Sequence, residues 1–490
     1  MPSKVLSEQD ILSVLIGGGL DYDVIIIGAG QAGSPLARRL AGAGRKTLLV
    51  ERRHVGGTCV NYGCTPTKTM VASARAAHVA RRAERLGVRV QGVHIDLGAV
   101  VDRKDGIVRS FRLGLRERLE KTENLMLVDG AARFTGLREI EIKGARHHAE
   151  TIVVNTGARP SIPPIPGLED VDWLDSTSIM ELREVPGHLV VLGGGYIGCE
   201  FGQMFRRFGS DVTIVNRGPH LLDREDEDIS EAIERVFRDE GISLRLDAGA
   251  KGVSRQGAVR TAVGAAQARG AEGDGVVLEL EDGPPIDGTH LLVAVGRVPN
   301  TEELGCETAG IECDKRGFIQ VDDSYRTSAE GVYAVGDVTG GPQFTHTSWD
   351  DHRILYEILQ GEDGRGRRGR LIPYSVFTDP QVARAGLSER EAKKKGVDYE
   401  VATLPFGSIA RAIELDETAG TMKVLLDPAT ERVLGAAIVG VEAGELIHIF
   451  VTLMQAGASA RAIVDAQAIH PTLAEGVQSL VMALPRYALS

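Results

Sequence analysis

An almost wholly apolar run from Asp23 to Ile27 leads directly into a glycine-rich turn, Gly28 to Gly33. An apolar run of this length is typical of a strand that is buried on both faces. The amphipathic segment from Ser34 to Ala43 predicts a helix, and Thr47 to Val50 predicts a second strand, which ends at Glu51. This order of strand, turn, helix, strand and acid predicts a dinucleotide-binding unit.

Each glycine of this turn has its own role in such a unit. Gly28 allows the tight turn, Gly30 lets a pyrophosphate approach the backbone, and Gly33 lets the helix pack closely on the strand. The N-terminus of the helix faces the phosphates, and Glu51 can accept hydrogen bonds from ribose hydroxyls. We therefore expect a bound dinucleotide at the first unit.

The same order of elements recurs in the middle of the chain. Leu189 to Leu192 predicts a strand, a helical stretch then runs to Phe208, and Asp211 to Val215 predicts the next strand. The glycines of the intervening turn that match the motif are Gly193, Gly195 and Gly198. The fold class is therefore α/β, with two Rossmann-like domains that bind two dinucleotides.

The second unit differs from the first at the end of its second strand, where Asn216 and Arg217 stand in place of an acid. An acid there would repel a 2′-phosphate, whereas arginine accommodates one. Arg217 and Arg224 are therefore candidate ligands of the 2′-phosphate, and they favour NADPH over NADH. The alternative is that both are ordinary surface arginines.

Charge and length limit the possible partners of the chain. Its 490 residues predict about three domains. A formal net charge of -12 argues against nucleic acid or an anionic membrane as a partner. The basic stretch from Arg365 to Arg370 is short, and we expect a solvated loop there.

Targeting signals are not evident in the sequence. No run of 18 apolar residues is present, and the N-terminus lacks the pattern of a signal peptide. Residues 1–20 read as a short helical extension. Five cysteines in a chain of this length do not form a disulfide-stapled secreted scaffold, so we expect a cytoplasmic protein.

Cys59 and Cys64 lie in a short motif just after the first dinucleotide unit. Their spacing is wrong for a C-x2-C zinc site, and the sequence predicts no metal site. In a regular helix, positions five apart lie about 8.7 Å from each other, farther than the roughly 7 Å that a disulfide tolerates. A disulfide would need a distorted turn, which Gly63 permits, and would be easily reduced. The alternative is two unrelated buried thiols.

With this motif, C-V-N-Y-G-C-T-P-T-K, nearly the whole chain resembles the flavin-dependent pyridine nucleotide–disulfide oxidoreductases, the family of glutathione reductase, dihydrolipoyl dehydrogenase and mercuric reductase. The resemblance implies FAD at the first unit and the nicotinamide nucleotide, NADP or NAD, at the second. It implies that Cys64 is the thiolate against the flavin and that Cys59 is the outer thiol that meets substrate. Lys68 would pair with Glu200 near the flavin N5, and Tyr196 would be the gate over the nicotinamide pocket.

Further family motifs follow along the chain. The resemblance assigns cofactor-binding positions to Gly57, Thr58, Lys68, Thr156, Gly157, Gly296, Asp337, Gln343, Phe344, Thr345 and His346. Among these, Asp337 would hold the ribityl chain, and the backbone of 343–346 would approach the isoalloxazine. The implied domains are an FAD domain at 21–160 and 295–370, an NAD(P) domain at 161–294, and a C-terminal α+β dimerisation domain at 371–490.

His470 and Glu475 match the His-Pro…Glu motif of the family. Thiol–disulfide exchange needs a group that accepts and returns a proton, and a carboxylate on the second histidine nitrogen fixes the tautomer. In the family this pair comes from the other subunit, which implies a homodimer with shared active sites. Cys199, Cys306 and Cys313 match no redox position, and we expect buried, inert thiols.

The electron acceptor is less well determined. The segments from Gly340 to Thr345 and from Pro373 to Thr378 resemble mercuric-reductase-like flavoproteins, some of which reduce copper. The sequence ends without the vicinal cysteine pair of mercuric reductases, so mercury is not the expected substrate. We expect an NAD(P)H-dependent disulfide reductase acting on a disulfide or a thiol-accessible metal ion. The alternatives are a dihydrolipoyl dehydrogenase, a mercuric or cupric reductase, and a non-catalytic redox sensor.

Overall fold

A computed structural model describes residues 20–256, 275–362 and 364–487. The predicted N-terminal extension lies outside these residues except for Leu20, which begins the first strand. In chain order the strands are β1 (Leu20–Ile27), β2 (Thr47–Glu51), β3 (Leu125–Asp129), β4 (Ala132–Gly136), β5 (Glu139–Ile142), β6 (Ala145–Val154), β7 (Ala158–Pro160), β8 (Trp173–Leu174), β9 (His188–Leu192), β10 (Asp211–Val215), β11 (Ser243–Arg245), β12 (Ala250–Gln256), β13 (Gly275–Leu280), β14 (Ile286–Gly288), β15 (His290–Val293), β16 (Arg297–Pro299), β17 (Val332–Ala334), β18 (Tyr374–Val376), β19 (Gln381–Gly386), β20 (Glu400–Pro405), β21 (Thr421–Leu426) and β22 (Val433–Gly440).

The helices follow the same chain order. They are α1 (Gly33–Gly42), α2 (Gly57–Asn61), α3 (Cys64–Arg82), α4 (Leu97–Glu120), α5 (Tyr196–Phe208), α6 (Glu227–Asp239), α7 (Thr345–Leu359), α8 (Glu389–Lys395), α9 (Ala410–Glu414), α10 (Ala443–Gln455), α11 (Arg461–Val464) and α12 (Leu473–Met482). Across the described part of the chain, no helix combines the length and apolar character needed to cross a bilayer.

The described residues form two compact units. The first contains the chain up to Thr67 together with Arg103–Ser161 and Gly296–Arg370. The second contains Lys68–Asp102, Ile162–Val295 and the chain from Leu371 onwards. The predicted segments 161–294 and 371–490 both fall almost wholly in the second unit, and the boundary between them stays a prediction.

The first unit is built on a sheet with the strand order β3-β2-β1-β6-β5-β4, and β17 also pairs with β6. Strand β1 is parallel to β2 and β6, with Ile27 opposite Val50 and Val154. Successive residues of β1 pack into cores on opposite faces of the sheet: Ile25 lies in one core, and Ile26 lies in the other with helix α1. This burial explains the unbroken apolar run, and it confirms the predicted strand–turn–helix–strand unit.

The second unit contains the second dinucleotide-binding sheet, with the order β11-β10-β9-β15-β8. Strand β9 is parallel to β10 and β15, so the predicted repeat of the unit is also confirmed. The C-terminal part has an antiparallel sheet, β18-β19-β22-β21-β20, and the residues of α10 and α12 pack into its core. The α/β class with a C-terminal α+β part is therefore as predicted.

Candidate active site

The first glycine-rich turn is shaped by close approach of backbone to backbone. Gly28 has φ +106°, and a Cβ there would lie 2.3 Å from the carbonyl oxygen of Asn155 at the end of β6. A Cβ on Gly33 would lie 2.0 Å from the carbonyl oxygen of Gly28. Both positions therefore require glycine, as the sequence predicts. Gly57 packs against Gly30: a Cβ on Gly57 would lie 2.8 Å from the Cα of Gly30. Gly57 and the adjacent Thr58 therefore border the same turn.

Glu51 holds this turn. Its Oε2 accepts the backbone N–H of Ala29 at 2.9 Å, and its Oε1 accepts that of Arg53 at 2.8 Å. A carboxylate has about four acceptor positions, so capacity remains for ribose hydroxyls. Helix α1 begins at Gly33 without a side-chain cap, which leaves its N-terminal amides to an anion. The residues of this turn therefore fit a dinucleotide.

A second part of the first unit contains the remaining predicted cofactor-binding positions. Strands β7 and β16 pair antiparallel, which places Gly157 and Gly296 at opposite ends of a short ribbon. The hydroxyl oxygen of Thr156 is buried and has no hydrogen-bond partner among the residues that the structure describes. A buried polar atom of this kind is normally satisfied by a ligand or water, so it fits a bound cofactor.

Asp337 lies in the turn after β17, where burial raises the pKa of its carboxyl and Arg297 opposes the shift. The turn is fixed by Asp351, which no sequence motif assigns to the site. The backbone N–H of Gly336 donates to Asp351 Oδ2 at 2.8 Å, and the Tyr325 hydroxyl donates to Oδ1 at 2.7 Å. Asp351 thus positions the neighbour of Asp337.

The basic stretch after residue 364 contributes to this arrangement and is only partly the solvated loop that we expected. Arg370 is partly buried and forms ion pairs with Asp351 at 2.7 Å and Asp350 at 3.1 Å. Arg365 reaches Asp350 and Glu357, each at 3.0 Å. The expectation fails at Arg370 because two carboxylates compensate its partly buried charge.

The cysteine motif breaks a helix. Helix α2 ends at Asn61, Tyr62 has φ -139°, and α3 begins at Cys64. A Cβ on Gly63 would lie 3.0 Å from the carbonyl oxygen of Thr58, so the predicted distortion is present and Gly63 suits it. Cys59 is partly exposed and Cys64 is exposed. The predicted disulfide between them stays a prediction.

Cys64 has a polar neighbour from a distant part of the chain. Its sulfur lies 3.1 Å from the hydroxyl oxygen of Thr345. Thr345 is the first residue of α7, so the sulfur is near the positive end of a helix dipole. A hydroxyl donor and a helix N-terminus both favour a thiolate over a thiol. On either side of Thr345 the rings of Phe344 and His346 are stacked, with centroids 5.4 Å apart, and Gln343 precedes them.

The second glycine-rich turn, in the second unit, repeats the geometry of the first. Gly193 has φ +114°, and a Cβ there would lie 2.5 Å from the carbonyl oxygen of Ala294. A Cβ on Gly198 would lie 1.9 Å from the carbonyl oxygen of Gly193. Gly195 is exposed and caps helix α5. This turn therefore also fits a dinucleotide.

Asn216 takes the place that Glu51 has in the first unit. Its Oδ1 accepts the N–H of Gly194 at 3.0 Å, and its Nδ2 donates to the carbonyl oxygen of His220 at 2.8 Å. Arg217 and Arg224 are exposed on the following segment. The turn is thus held without a negative charge, which is compatible with the predicted 2′-phosphate.

Lys68 and Glu200 form the ion pair that the family resemblance implies. The Lys68 ammonium lies 2.9 and 2.7 Å from the two carboxylate oxygens of Glu200. The backbone N–H of Phe377 also donates to Glu200, at 2.8 Å, and the ammonium lies 4.7 Å from the centroid of the Phe377 ring. Glu200 is buried, so these donors compensate its charge.

Tyr196 begins helix α5 and packs against a tyrosine that the sequence analysis does not single out. The rings of Tyr196 and Tyr374 have centroids 5.6 Å apart. Burial raises the pKa of the Tyr196 phenol, and the nearby Glu225 raises it further. The phenol is therefore neutral at physiological pH.

His470 and Glu475 are joined as predicted. The Nδ1 of His470 lies 2.9 Å from Glu475 Oε2 and 3.1 Å from Oε1. Glu475 is held in turn because its backbone N–H donates to the Thr472 hydroxyl, the cap of helix α12. With Nδ1 bound to a carboxylate, Nε2 is the nitrogen that can accept a proton. The His470 side chain is 68% exposed, and Ile469 beside it is 75% exposed.

The three other cysteines are not equivalent. Cys199 is buried, and burial raises the pKa of its thiol. Burial also raises the pKa of Cys306, to about 12, and its thiol is hydrogen-bonded to that of Cys313. Cys313 is only partly buried, so the expectation of a buried thiol is wrong at this position.

Comparison with known proteins identifies two families of domain. Residues 22–351 match the pyridine nucleotide-disulphide oxidoreductase model, and residues 372–481 match the dimerisation domain of the same enzymes. The chain is 37% identical to the probable pyridine nucleotide-disulfide oxidoreductase RclA of Escherichia coli strain K12, over 94% of this chain and 98% of RclA. It is 35% identical to a mercuric reductase of Lysinibacillus sphaericus, over 94% of this chain and 82% of that protein.

A solved structure supports the same relationship. The Cu(II) complex of the HOCl-induced flavoprotein disulfide reductase RclA from Escherichia coli matches with a TM-score of 0.84 and 36% identity, over 94% of this chain and 99% of that one. Both cofactor turns, the cysteine motif and the His–Glu pair lie within the matched domains. The chain therefore belongs to the pyridine nucleotide-disulphide oxidoreductase family, whose members are FAD-dependent oxidoreductases.

Proposed function

We propose that this protein is an NADPH-dependent reductase of a small disulfide, with Cys59 and Cys64 as the redox pair. The observation that carries the proposal is the contact of the Cys64 sulfur with the Thr345 hydroxyl at the N-terminus of α7. A thiol that served only to fill space would have no use for two groups that stabilise its anion. The predicted cytoplasmic location would keep such a pair in a reducing compartment.

The first glycine turn, with Glu51, Thr156 and Asp337, would hold FAD. When bound, FAD supplies two-electron transfer between the nicotinamide and the cysteine pair. The overall reaction is balanced: NADPH gives a hydride, solvent gives a proton, and one disulfide becomes two thiols. Lys68 and Glu200 form an ion pair beside Phe377, which fixes the position of the Lys68 ammonium without adding net charge.

The thiol chemistry belongs to the cysteines and the histidine. As a thiolate, Cys59 attacks one sulfur of the substrate disulfide, the substrate S–S bond breaks, and the first thiolate leaves. Cys64 then attacks the sulfur of Cys59, which releases the second thiolate and forms the Cys59–Cys64 disulfide. His470 takes the proton of Cys59 and gives it to the first leaving thiolate, and the second leaving thiolate takes its proton from solvent. Glu475 on Nδ1 keeps Nε2 available for this transfer.

We further propose a homodimer in which His470 serves the cysteine pair of the other subunit. The strong exposure of His470 and of the adjacent Ile469 supports this, because it leaves the segment accessible to a second subunit. The match of residues 372–481 to a dimerisation domain supports it as well.

NADPH is proposed over NADH on the basis of Asn216. The amide holds the turn in the way that the carboxylate of Glu51 does, yet it brings no charge that would repel a 2′-phosphate. Arg217 and Arg224 lie exposed on the same segment and would contact that phosphate. Replacing both by glutamine should raise the KM for NADPH and leave the KM for NADH within about two-fold.

A cupric ion is the second candidate acceptor. RclA, which is similar over nearly the whole chain, has been solved as a Cu(II) complex. Thiolates are good ligands for copper, and both Cys59 and Cys64 are accessible at least in part. One NADPH would reduce two cupric ions to cuprous ions and release one proton. This reaction needs no base, so the His470–Glu475 pair favours a disulfide. The same pair counts against a non-catalytic redox sensor.

Anaerobic titration of the FAD-loaded enzyme with NADPH tests the proposal. We expect a long-wavelength band from a thiolate–flavin charge-transfer complex, and Cys64→Ser should abolish it. Cys313→Ser is the matched control, because it removes a partly exposed thiol outside the pair and should leave the band unchanged. Absence of the band in the parent enzyme would contradict the proposed redox pair.

The acceptor is identified by a substrate panel. Oxidised glutathione, oxidised lipoamide, mercuric ion and cupric ion are each assayed with NADPH and with NADH, and dihydrolipoamide is assayed with NAD⁺. We expect the highest kcat/KM with NADPH and a disulfide. If dihydrolipoamide oxidation with NAD is faster, the protein is a dihydrolipoyl dehydrogenase; if a metal ion gives the highest value, it is a metal reductase.

A further inference from the structure

Tyr196 is held by a tyrosine from the C-terminal part of the same unit. The two rings are inclined by 32° with centroids 5.6 Å apart, and the hydroxyl of Tyr196 is hydrogen-bonded to Tyr374. Tyr196 is the first residue of α5, directly after Gly195, so little of its own backbone restrains the ring. The position of the ring therefore depends on Tyr374.

Tyr374 is itself fixed at its hydroxyl end. Its hydroxyl donates to Oε1 of Glu225, whose side chain is fully buried. The guanidinium of Arg384 lies 5.3 Å from the centroid of the Tyr374 ring, and its Nε lies 3.8 Å from Glu225 Oε2. The Tyr374 hydroxyl matters to Glu225 because the other carboxylate oxygen, Oε2, is buried and has no hydrogen-bond partner among the described residues. Loss of the Tyr374 donor would leave a further unsatisfied buried atom, which is costly.

The backbone at Glu225 is restrained, because the side chain of the next residue, Asp226, contacts several groups from the C-terminal part of the chain. Asp226 accepts the backbone N–H groups of Glu389 and Arg390, at 3.0 and 3.1 Å, at the start of helix α8. The buried ammonium of Lys423 lies 3.4 Å from the same carboxylate. The chain of contacts from the Tyr196 hydroxyl therefore ends in a rigid helix terminus.

We propose that Tyr374 and Glu225 are positioning residues that hold Tyr196 in a resting position, which the nicotinamide must displace when it binds. The inference rests on the proposed function, in which Tyr196 covers the nicotinamide pocket. Release of Tyr196 breaks its contact with Tyr374, and this loss weakens nucleotide binding. Removing the contact in advance therefore strengthens binding, by about five-fold for one neutral hydrogen bond.

A different result is expected if the contact between Tyr196 and Tyr374 only stabilises the fold. In that case, loss of the contact lowers the melting temperature but does not change the affinity for nucleotide. Tyr399 offers a matched control in the same unit, because its hydroxyl donates to Glu389 at 2.7 Å and makes another tyrosine–glutamate bond. Tyr399→Phe removes that bond without touching Tyr196.

The test is calorimetric titration of the oxidised, FAD-loaded enzyme with NADP⁺, which measures binding without turnover. We expect Tyr374→Phe and Glu225→Ala to lower the Kd about five-fold. Glu225→Gln keeps an oxygen that accepts the Tyr374 hydroxyl, and it should stay within about two-fold of the parent. Tyr399→Phe should bind as the parent does. An unchanged or raised Kd in Tyr374→Phe overturns the inference.

A second variant covers the case in which loss of the Tyr374 hydroxyl prevents folding. Tyr196→Phe removes the other end of the bond and leaves Glu225 satisfied, and it should lower the Kd in the same direction. Failure of the proposed function is seen separately: a parent enzyme whose FAD is not reduced by NADPH contradicts that function. A parent that is reduced, with variants that bind NADP⁺ equally, contradicts only the role of Tyr374.

Discussion

The Oδ1 atom of Asn216 accepts the backbone N–H of Gly194 at 3.0 Å, just after the first glycine of the second turn. Glu51 makes the same contact in the first unit, where Oε2 accepts the N–H of Ala29 at 2.9 Å. Both residues end the second strand of their unit or directly follow it. The Asn216 amide thus makes the same contact with its turn as the Glu51 carboxylate, but it carries no charge. A charge at this position can therefore affect the choice of nucleotide without being needed for the shape of the turn.

Asn216→Asp should therefore raise the KM for NADPH about ten-fold while changing the KM for NADH by less than about two-fold. The aspartate can still accept the Gly194 N–H, but it adds a negative charge where a 2′-phosphate would bind. Steady-state kinetics with both nucleotides measure the two values. Asn124→Asp is the control, because it adds the same charge in the first unit. Equal rises with both nucleotides would contradict the phosphate argument.

The Thr345 hydroxyl gives a second prediction. Thr345→Val removes the group that lies 3.1 Å from the Cys64 sulfur but keeps the helix N-terminus. The charge-transfer band of the NADPH-reduced enzyme should lose more than half its intensity at pH 7 and recover as the pH rises, because thiolate formation is less favoured. Absorbance scans of a pH titration measure this. Thr345→Ser restores the hydroxyl and should restore the band; a valine variant with the parent's band would rule out this role.

The two glycine-rich turns could be predicted from the sequence because each depends on neighbours within one βαβ unit. Gly28, Gly33, Gly193 and Gly198 stand where backbone atoms approach too closely for any Cβ. The break in the helix at the cysteine motif could also be predicted, because it lies between two cysteines that are only five residues apart. His470 and Glu475 are likewise five residues apart and share the start of one helix.

Asp351 and Tyr374 could not be found in this way because their partners are distant in sequence. Asp351 binds Tyr325 from 26 residues away, and Tyr374 binds Glu225 from 149 residues away. Neither pair leaves a periodic or spaced pattern in the chain. The sequence predicts a solvated loop at Arg370 for the same reason, because its two carboxylate partners are brought to it only by the fold.

The His470–Glu475 pair should matter for disulfides far more than for metal ions. His470→Ala should lower kcat/KM for a disulfide by about 100-fold, in the range of general acid–base catalysis, and for cupric ion by less than about three-fold. Glu475→Gln should lower the disulfide value by about ten-fold, because the tautomer is no longer fixed by a carboxylate. His148→Ala, at an exposed strand position, is the control. Equal losses with both acceptors would argue against proton transfer.

Asp351 should be needed to retain FAD. Asp351→Asn leaves the partly buried Arg370 without its carboxylate at 2.7 Å and weakens the acceptor of the Gly336 N–H. We expect a loss of about 3 kcal/mol in the free energy of unfolding and release of FAD on desalting. Urea unfolding and the ratio of flavin to protein absorbance measure these changes.

Asp350→Asn is the control for this prediction, because it is the adjacent carboxylate and shares Arg370 as a partner. It is more exposed than Asp351, so the expected loss is below about 1 kcal/mol. Full FAD retention by Asp351→Asn, with stability equal to that of Asp350→Asn, would show that the contact with Gly336 does not position Asp337.

The lowered pKa of the Glu389 carboxyl predicts how the stability of the fold depends on pH. Its partial burial works to raise the pKa of its carboxyl, but hydrogen bonds from Lys423 and Tyr399 outweigh burial and lower the pKa to about 2. A carboxyl whose pKa is lower in the folded than in the unfolded protein stabilises the fold above the unfolded pKa, near 4.5. This stability, about 2 kcal/mol after screening by solvent, is lost as the pH falls towards 2.

Urea unfolding at pH 6 and at pH 3.5 measures it: Glu389→Gln should be clearly less stable than the parent at pH 6 and closer to it at pH 3.5. A difference that is the same at both pH values would mean that the ion pair with Lys423 contributes nothing, and that Glu389 acts through packing alone.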